Sequence, residues 1–260
     1  MSTARVSSYH IVIPARFASE RLPGKVLLDL AGCSLLQRVW QRARESSAES
    51  TIIATDDERI VSVAEAFGAQ VVLTSPDHQS GSDRIAECAG ILGWPDEHLV
   101  VNLQGDEPLM PPVCLDQVAA LLDERPDCEV ASLYWPITEA DEVVNPNAVK
   151  VVTDSKGRAM YFSRAPIPFA RSFASVTEAM KSGIEWKRHL GLYAYRLEAL
   201  RRYTRCSPTP LEKSERLEQL RIMEQGGRIV MARACEFIPA GIDTPDDLHR
   251  VRCLIESKLL

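Results

Sequence analysis

The sequence predicts an α/β protein with a mostly parallel sheet, helices on both of its faces and a smaller antiparallel β region. In the first half of the chain, short apolar runs alternate with segments whose apolar residues recur every three or four positions, as amphipathic helices require. Later strand patterns follow one another without long helices between them, which favours antiparallel pairing. The whole chain, residues 1–260, fits one domain. We place an inserted β-rich region at about 129–205.

Charge and cysteine content exclude several classes of protein. The net charge of −6 disfavours general nucleic-acid binding, so an anionic ligand would have to meet a local concentration of Arg and Lys. The seven cysteines form no CxxC pair, which argues against a disulfide framework or a structural zinc site and favours a reducing cytoplasm. With no apolar signal region and no run long enough to span a bilayer, we expect a soluble protein without membrane insertion.

The first half of the chain predicts a βαβαβ unit with parallel strands and right-handed crossovers. Its strands and helices are predicted at 9–14, 33–46, 51–55, 57–67 and 70–73. Pro14 is expected to end the first strand because it lacks an N–H for the ladder, and Gly68 is expected to end the second helix. Beyond this unit we predict a helix capped by Ser82, a strand at 99–103 and a helix at 110–124.

The second half predicts strands at 129–136, 148–153 and 159–163. Residues 169–186 are polar and weakly periodic, so we expect a mobile excursion there. A helix is predicted at 214–225, because its apolar residues recur at helical spacing toward the core.

The stretch IVIPARFASERLPGK places three cations and a glycine at the carboxyl end of the first strand, where open α/β sheets bind ligands. Arg16, Arg21 and Lys25 supply charge, and Gly24 lets backbone N–H groups approach phosphate oxygens. This combination suits a triphosphate; the alternative is a surface loop with solvated basic residues. The stretch contains neither GxxxxGK[ST] nor GxGxxG, so it predicts neither a Walker loop nor a dinucleotide site.

A second polar loop, DHQSG, follows the third strand. His78, Gln79 and Ser80 precede Gly81. Two interpretations are open: a polar turn with a helix-capping residue, or a pocket that recognises a base through amide and hydroxyl groups. Local sequence alone favours the turn, because Ser, Gly and Asp are ordinary turn and cap residues.

Acidic residues at two positions suggest a metal site. Asp106 and Glu107 follow the apolar strand in QGDEP, and such a carboxylate pair in a nucleotide site is typical of Mg²⁺ binding. The alternative is a turn that leads into the next helix. Asp243 precedes the last helix, which Thr244 is predicted to cap and Pro245 to begin. Asp243 either faces the same sheet edge or complements the helix dipole.

Candidates for contact with a second substrate lie in the inserted region. Arg164 follows YFS, while His189 and Tyr193 lie two strand steps apart in HLGLY and so face the same side. Lys150 in NPNAVKVV is a further candidate. For each of them a purely structural role is the alternative, since a histidine in a partly apolar strand is more often a core residue.

Taken together, these motifs resemble the cytidylyltransferases that activate 3-deoxy-D-manno-octulosonate (Kdo), the CMP-Kdo synthetases. The matching stretches are PAR and RLPGK, DHQSG, QGDEP, FSR, RHLGLYAYR, LEQLR and the aspartate of GIDTP, within residues 9–252. The chain departs from the family at Phe17, where a tyrosine is common, and at Glu20, where a small polar residue is frequent. Residues 169–186 also match poorly.

The resemblance implies a nucleotide-diphospho-sugar transferase-like (Rossmann-like) fold. It implies transfer of CMP from CTP to Kdo with release of pyrophosphate, which activates Kdo for lipopolysaccharide synthesis. It also implies Mg²⁺ as cofactor and a cytoplasmic homodimer, with the inserted region serving sugar binding and dimerisation.

Carried onto this chain, the resemblance assigns site residues in four groups. The nucleotide would be bound by Pro14, Ala15, Arg16, Arg21, Gly24, Lys25, Asp77, His78, Gln79, Ser80, Gly81, Arg84 and Gln104. The sugar would be bound by Gln104, Arg164, His189, Tyr193, Glu218 and Gln219. The catalytic residues would be Arg16, Lys25, Asp106 and Asp243, of which Asp106 and Asp243 would hold the metal.

Alternatives stay open at this point. A glycosyltransferase of related architecture would hold its metal with a DxD run, which the sequence lacks. A non-catalytic nucleotide sensor would have no use for a sugar pocket. Among cytidylyltransferases, sialic acid or an 8-amino analogue could replace Kdo; we favour Kdo because DHQSG and NPNAVK resemble that branch.

Overall fold

The computed structural model describes residues 8–18, 22–78 and 80–257 of the chain. Within these ranges the protein forms an α/β fold around one sheet of nine strands. The strands are β1 (Tyr9–Ala15), β2 (Ser50–Thr55), β3 (Gln70–Leu73), β4 (Leu99–Asn102), β5 (Val130–Ile137), β6 (Lys150–Thr153), β7 (Ala159–Ser163), β8 (Trp186–Arg196) and β9 (Ile229–Arg233). The helices are α1 (Leu35–Arg44), α2 (Glu58–Ala66), α3 (Gly81–Ile91), α4 (Pro112–Asp123), α5 (Ala140–Val144), α6 (Val176–Lys181), α7 (Leu197–Thr204), α8 (Pro210–Glu215), α9 (Gln219–Glu224) and α10 (Pro245–Glu256).

The sheet is mixed, with one strand running against the others along its main path. In the described ranges, this path has the order β3-β2-β1-β4-β8-β5-β9. The pairs β1–β2, β1–β4, β2–β3 and β5–β9 are parallel, whereas β8 is antiparallel to β4 and β5. The β6–β7 hairpin lies off this path and joins it through β8. The predicted fold class is confirmed.

Hydrophobic side chains pack on both faces of the sheet. Ile11 and Ile13 of β1 belong to a buried cluster with residues of α1, α2, α4 and α10, whereas Val12 belongs to a cluster with residues of α3, α7 and α9. This division arises because successive side chains of a strand point to opposite faces. In the described part of the chain, no helix combines the length and apolar character needed to cross a membrane.

Strand β1 continues through Pro14 to Ala15, so the expectation that Pro14 ends it is wrong. Pairing of β1 with β4 stops at Val12 and Asn102, while pairing with β2 continues to the end of β1. The Val12 carbonyl accepts a hydrogen bond from the Leu103 N–H at 3.1 Å, so Val12 and, two residues on, Pro14 face the β4 side. Pro14 lies beyond the last β4 partner, and its missing N–H therefore removes no ladder bond.

Helix α3 is capped by Ser80 rather than by Ser82 as predicted. The Ser80 hydroxyl accepts a hydrogen bond from the Asp83 N–H at 3.1 Å, and the Asp83 carboxylate accepts one from the Ser80 N–H at 3.2 Å. Ser82 lies inside the first turn and is buried. Only the acid three residues after Ser80 distinguishes these two serines in the sequence.

Residues 169–186 contain helix α6 and the start of β8 instead of the expected mobile excursion. Ser175 caps α6 by accepting a hydrogen bond from the Glu178 N–H. Ala179 and Trp186 are buried in a third hydrophobic cluster. A helix of six residues that buries only one side chain leaves almost no periodic signal, which explains the wrong prediction.

The helix predicted at 214–225 is two short helices, α8 and α9, separated at Arg216. Arg216 has φ of 53° and ends α8 in a left-handed conformation. Leu217 and Leu220 are nevertheless buried, as the helical spacing predicted. The apolar pattern therefore crosses a break in the helix, and periodicity could not reveal that break.

Helix α7 and strand β9 have no counterpart in the sequence-based prediction. β9 carries a short apolar run shortly after two glycines, from which Arg228 separates it, and this signal is too brief to distinguish from a loop. Within the region predicted as an insertion, β5 and β8 lie in the central sheet, and the β6–β7 hairpin lies beside it. The boundaries and the dimerisation role of that region stay predictions.

Candidate active site

The carboxyl ends of β1 and β4 open into a cavity of about 600 Å³. Because β8 runs against β4, Tyr193 in β8 lies opposite Asn102 at the end of β4. Residues 216–219, which lead from the end of α8 into α9, also line the cavity. They include Glu218 and Gln219, which the family resemblance assigned to the sugar. The cavity therefore joins the parallel half of the sheet to β8 and to the α8–α9 segment.

One ammonium group bridges two carboxylates at the β1–β4 end of the cavity. Lys25 Nζ donates to Asp106 Oδ2 at 2.6 Å, to Asp243 Oδ1 at 3.0 Å and to the Ile242 carbonyl at 3.0 Å. Burial lowers the pKa of Lys25, but the Asp106 and Asp243 carboxylates outweigh burial and raise the pKa overall. Lys25 is therefore a cation at neutral pH, and two acids distant in sequence converge on it.

The backbone that carries Lys25 into the cavity depends on Gly24. Gly24 has φ of 67°, and its N–H donates to the Phe17 carbonyl at 3.0 Å, which ties Lys25 to the end of β1. A Cβ atom at this position would lie 3.1 Å from the Phe17 ring. Gly24 thus shapes the loop, but it does not itself line the cavity.

Two arginines contribute to this end of the cavity in different ways. Arg84 is buried and donates to Asp56 Oδ2 at 2.9 Å and to the Thr74 hydroxyl, so part of its charge is balanced within the protein. Arg16 directly follows β1 and is exposed. Arg16 is accordingly well placed to meet an anionic ligand that enters from solvent.

His78 lines the cavity and is held by an acid behind it. His78 Nε2 is hydrogen-bonded to Glu87 Oε2, which also accepts from the Ser75 N–H at 2.8 Å. Burial raises the pKa of Glu87, but these hydrogen bonds and the charges of His78 and Arg84 lower it overall. An ionised Glu87 therefore orients the His78 ring.

An amide pair lies at the end of β4. Gln104 Nε2 donates to Asn102 Oδ1 at 3.2 Å, and both residues line the cavity. With Nε2 engaged, Gln104 retains its carbonyl oxygen as an acceptor for a ligand.

The β8 end of the cavity is polar, aromatic and uncharged at its centre. The rings of His189 and Tyr193 lie 5.3 Å apart between centroids. Burial lowers the pKa of His189 to about 3, so this imidazole is neutral at physiological pH. Among the described residues, His189 Nε2 and Gln219 Nε2 are buried polar atoms without a hydrogen-bond partner. Unpartnered polar groups in a cavity suit a ligand rich in hydroxyls.

Glu218 adds an acid to this end. Burial raises the pKa of Glu218, against the opposing charge of Arg221. The Tyr203 hydroxyl donates to the Glu218 carbonyl at 3.3 Å, and burial raises the pKa of Tyr203 so that it stays a neutral donor.

Comparison with known proteins agrees with this geometry. Residues 10–229 match the family model described as cytidylyltransferase. The chain is 49% identical to a 3-deoxy-manno-octulosonate cytidylyltransferase from Pseudomonas fluorescens over 252 residues, which are 96% of this chain and 99% of that protein. The chain belongs to the 3-deoxy-manno-octulosonate cytidylyltransferase family.

Two further matches support membership of this family. A 3-deoxy-manno-octulosonate cytidylyltransferase from Coxiella burnetii is 51% identical over 244 residues, 94% of this chain and 98% of that protein. The solved structure of a CMP:2-keto-3-deoxy-manno-octonic acid synthetase complexed with CTP superposes with a TM-score of 0.86 and 38% identity, covering 97% of this chain and 100% of that one. The predicted family and fold are confirmed.

The structure brings most of the residues assigned from the family resemblance to one cavity. Those that line it are Pro14, Ala15, Arg16, Lys25, His78, Ser80, Gly81, Arg84, Gln104, Asp106, His189, Tyr193, Glu218, Gln219 and Asp243. Gly24, Asp77 and Arg164 do not line it. Arg21 and Gln79, like Glu20, lie outside the residues that the structure describes. Their contacts with substrates stay predictions.

Arg164 was predicted to face the sugar, and the structure places it behind the cavity wall. Its guanidinium donates to the carbonyls of Glu215 at 2.7 Å, Pro146 at 2.9 Å and Arg216 at 3.3 Å. Lys150, the other uncertain cation, is fully buried and donates to three carbonyls, including that of Arg164 at 2.6 Å. Both cations therefore organise backbone in this structure.

Several residues that line the cavity were not among the site residues assigned from the family resemblance. They are Val26, Ser82, Asn102, Gly105, Gly191, Tyr195, Tyr203, Arg216, Leu217 and Ile222. Tyr195 could have been found, because it lies two residues after Tyr193 on the same strand face. Tyr203 and Arg216 offered no signal, because α7 and the break between α8 and α9 were not predicted.

Proposed function

We propose that this chain transfers CMP from CTP to Kdo and releases pyrophosphate. The observation that carries this proposal is one cavity that holds both the Lys25–Asp106–Asp243 cluster and the polar groups of His189 and Gln219. Relatives about half identical over nearly their full length are named for this activity. CTP and Kdo are thus the substrates.

The nucleotide would occupy the β1–β4 end of the cavity. Arg16 and Lys25 would meet the triphosphate, with charge-assisted hydrogen bonds that are stronger than neutral ones. Ser80 and His78 lie at the start of α3, where they would contact the base and ribose. This half of the proposal requires CTP to bind without sugar.

The sugar acid would occupy the β8 end. His189 is neutral there, so it would hydrogen-bond hydroxyls without adding charge. Gln219 Nε2 would donate to another hydroxyl, which would satisfy a buried amide that has no partner in the described residues. The anomeric hydroxyl would then face the α-phosphorus of CTP.

The transfer would proceed by in-line attack of this hydroxyl on the α-phosphorus, with pyrophosphate as the leaving group. Most of the rate enhancement would come from placement and from charges already in position. Lys25 stays protonated because its pKa is raised, so it would act as a cation toward the leaving pyrophosphate and not as a base. We assign no protein side chain as general base.

Mg²⁺ is the cofactor that we propose for this site. Asp106 and Asp243 fit it, because hard carboxylate oxygens are its preferred protein ligands and both carboxylates already contact one cation, Lys25. When bound, Mg²⁺ would neutralise triphosphate charge and polarise the attacking hydroxyl.

Pyrophosphate release on mixing CTP, Mg²⁺ and Kdo tests the activity. We expect release that depends on both substrates, because the sugar supplies the nucleophile. Release no faster than with CTP alone would reject the proposal. A nucleotide sensor would bind CTP without release, and a glycosyltransferase would require a nucleotide sugar.

Competition between Kdo, its 8-amino analogue and sialic acid at equal concentration tests the choice of sugar. We expect the highest kcat/KM for Kdo. A higher value for either rival would assign the chain to another sugar acid while leaving cytidylyl transfer intact.

We propose a homodimer in the cytoplasm. Phe169 and Met160 are exposed apolar residues in the predicted insertion, and a partner would cover them. The seven cysteines are all free, which suits a reducing compartment. Sedimentation at micromolar protein should give a dimer mass; a monomer mass would reject the assembly.

A further inference from the structure

Two cysteines that are far apart in the sequence lie side by side in the fold. Cys114 is in the first turn of α4, and Cys235 follows the end of β9. Their Sγ atoms lie 3.8 Å apart, and both are free thiols in this structure. Spacing in the sequence could not reveal this pair, because the fold alone brings the two residues together.

Gln117 of α4 holds the backbone around Cys235 in place. Its amide nitrogen donates to the Arg233 carbonyl at 2.8 Å, and its amide oxygen accepts from the Cys235 N–H at 2.9 Å. The Ala234 N–H donates to the Tyr134 carbonyl of β5 at 3.0 Å. Backbone contacts with α4 and β5 therefore keep Cys235 beside Cys114 in the folded chain.

The two thiols differ in their access to solvent. Cys235 is exposed, whereas Cys114 is fully buried. Burial raises the pKa of the Cys114 thiol, which therefore keeps its proton at neutral pH. An oxidant in solution can reach the Cys235 sulfur and cannot reach the Cys114 sulfur, so Cys235 would react first.

The chain on either side of this pair leads to the two carboxylates of the active site. Cys114 lies eight residues after Asp106, and Cys235 lies eight residues before Asp243. The Ile242 N–H donates to the Asp106 carbonyl at 2.9 Å. The segment 106–114 and the segment 235–243 therefore touch at their carboxylate ends as well as at their cysteines.

We propose that Cys114 and Cys235 form a reversible disulfide when the protein meets an oxidant, and that this bond fastens the segment 235–243 to α4. In a reducing compartment the pair stays as two thiols, as in this structure. The bond closes a long loop of the chain, so it would restrain the unfolded state and stabilise the folded one. The inference does not depend on the proposed function, because no substrate takes part in it.

Glutathione disulfide can serve as the oxidant, because it accepts the two electrons that the thiols give up. The Cys235 thiolate attacks one sulfur of glutathione disulfide, which forms a mixed disulfide and releases one glutathione thiolate. Cys114 then loses its proton, and its sulfur attacks the Cys235 sulfur and releases the second glutathione thiolate. Both protein thiol protons end on glutathione, so the net products are one protein disulfide and two molecules of reduced glutathione.

Peptide mapping after oxidation tests the bond. We would treat the native chain with excess glutathione disulfide, block the remaining thiols with N-ethylmaleimide and digest the protein without reductant. We expect two peptides joined through Cys114 and Cys235, and dithiothreitol should return both thiols. The inference is overturned if Cys235 stays a thiol, stops at the glutathione adduct, or bonds to another cysteine or to a second chain.

Cys253 is the internal control in the same sample. It is exposed like Cys235, but its sulfur contacts His249 Nε2 at 3.7 Å. It should remain a thiol or carry glutathione, without a bond to another cysteine. In Cys114→Ala, Cys235 should stop at the glutathione adduct, because the second thiol is missing. Protein disulfides at Cys253 as frequent as those at Cys235 would show unspecific pairing and reject the proposal.

The melting temperature tests whether the bond fits the folded chain. Oxidised wild-type protein should melt about 4 °C or more above reduced protein, the shift expected for a native disulfide in a chain of this size. Cys235→Ser changes an exposed side chain, and it should show no such shift on oxidation. Cys253→Ser should keep the whole shift. An unchanged or lower melting temperature of the linked protein would mean that the bond strains the fold, against the proposal.

Amide hydrogen exchange tests whether the bond fastens the segment 235–243. The Ile242 N–H should exchange several-fold more slowly in oxidised than in reduced protein, because local opening of the segment is restrained. Amides of α2, which packs on β2 and β3 at the other edge of the sheet from β9, should slow less. Equal exchange at Ile242 in the two forms would show that the disulfide does not hold this segment.

Discussion

The two ends of the cavity are built on different principles. At the β1–β4 end, the groups follow parallel strand ends, so each short sequence motif delivers its side chain to the same edge of the sheet. At the β8 end, the groups come from the middle of an antiparallel strand and from a strained turn between two short helices. The first arrangement is visible in the sequence, and the second depends on tertiary contacts that fix residues such as Arg216.

The largest effect should come from the carboxylates of the β1–β4 end. Asp106→Asn or Asp243→Asn keeps the shape of the side chain but removes an anion that the proposed Mg²⁺ requires. We expect turnover to fall several hundredfold or more, from about 3 to 4 kcal/mol of lost electrostatic stabilisation. CTP binding should persist through Arg16 and Lys25, and pyrophosphate release together with CTP titration would measure both quantities.

The double variant supplies the control for that prediction. Its loss should be far from additive, because both residues serve one ion. If Asp243→Asn leaves turnover nearly intact and lowers only the melting temperature, Asp243 is a helix-terminus residue. The β1–β4 end then has no metal site formed by two carboxylates.

The next largest effect should come from the support of the α8–α9 turn. Arg221→Met would leave the Glu212 carboxylate buried without its partner, at a cost of about 3 kcal/mol or more in the free energy of unfolding. Denaturant unfolding would measure this loss. Glu45→Gln, which breaks an exposed ion pair with Arg42 and leaves the Arg42–Met110 hydrogen bond in place, is the matched control and should change stability by less than about 1 kcal/mol. If both variants lose the same free energy of unfolding, the buried Arg221–Glu212 pair does not stabilise the turn between α8 and α9 more than an exposed ion pair would.

A smaller, pH-dependent effect should come from His189. Its folded pKa of about 3 lies below the ordinary value of 6.5, so the unfolded chain takes up a proton first as pH falls. The stability contribution of neutral His189 is complete above pH 6.5 and is lost progressively toward pH 3. Between pH 7.5 and 5.5 the loss is about 1.3 kcal/mol. Unfolding of wild-type and His189→Gln proteins at both pH values should differ by this amount, and parallel pH profiles would contradict it.

The smallest expected effect concerns the helix cap at the nucleotide end. Ser80→Ala should destabilise the protein by about 1 kcal/mol, because the Asp83 N–H loses its acceptor. For a chain of this size the melting temperature should fall by about 2–4 °C. Calorimetry measures this shift. Restoring the cap with Ser80→Thr should recover most of it, and a failure to recover would point to a role other than capping.

The parallel half was predicted well from local sequence, because the patterns that indicate strands, helices and helix caps involve residues close together in the chain. The strand at 70–73 and the cap at Thr244 follow from apolar runs and capping chemistry alone, and both are observed. Pro14 was misjudged because the consequence of a missing N–H depends on where β4 ends, which no local rule contains. Family resemblance supplied the convergence of Asp106 and Asp243, which spacing could not provide.

The β8 end was harder to predict for an equally physical reason. Arg164 looked like a free cation in FSR, yet three of its five guanidinium N–H donors bind carbonyls of the segments around Pro146 and Glu215. Arg216 looked like an ordinary residue inside a helix, and its left-handed backbone becomes apparent only in the folded chain. Predicting either residue requires knowing which distant backbone groups need donors.

Strand β8 extends past the end of β4, so the cavity wall is longer than the strand beside it. Tyr195 and Tyr193 lie opposite Val100 and Asn102 of β4, while His189 lies beyond the end of β4, opposite Tyr134 of β5. Each residue of a strand advances about 3.3 Å, so the three side chains are spread along one wall of the cavity. A sugar acid that lies along this strand and has a shorter carbon chain would leave His189, the group farthest along β8 from Tyr195, without a hydroxyl to bind.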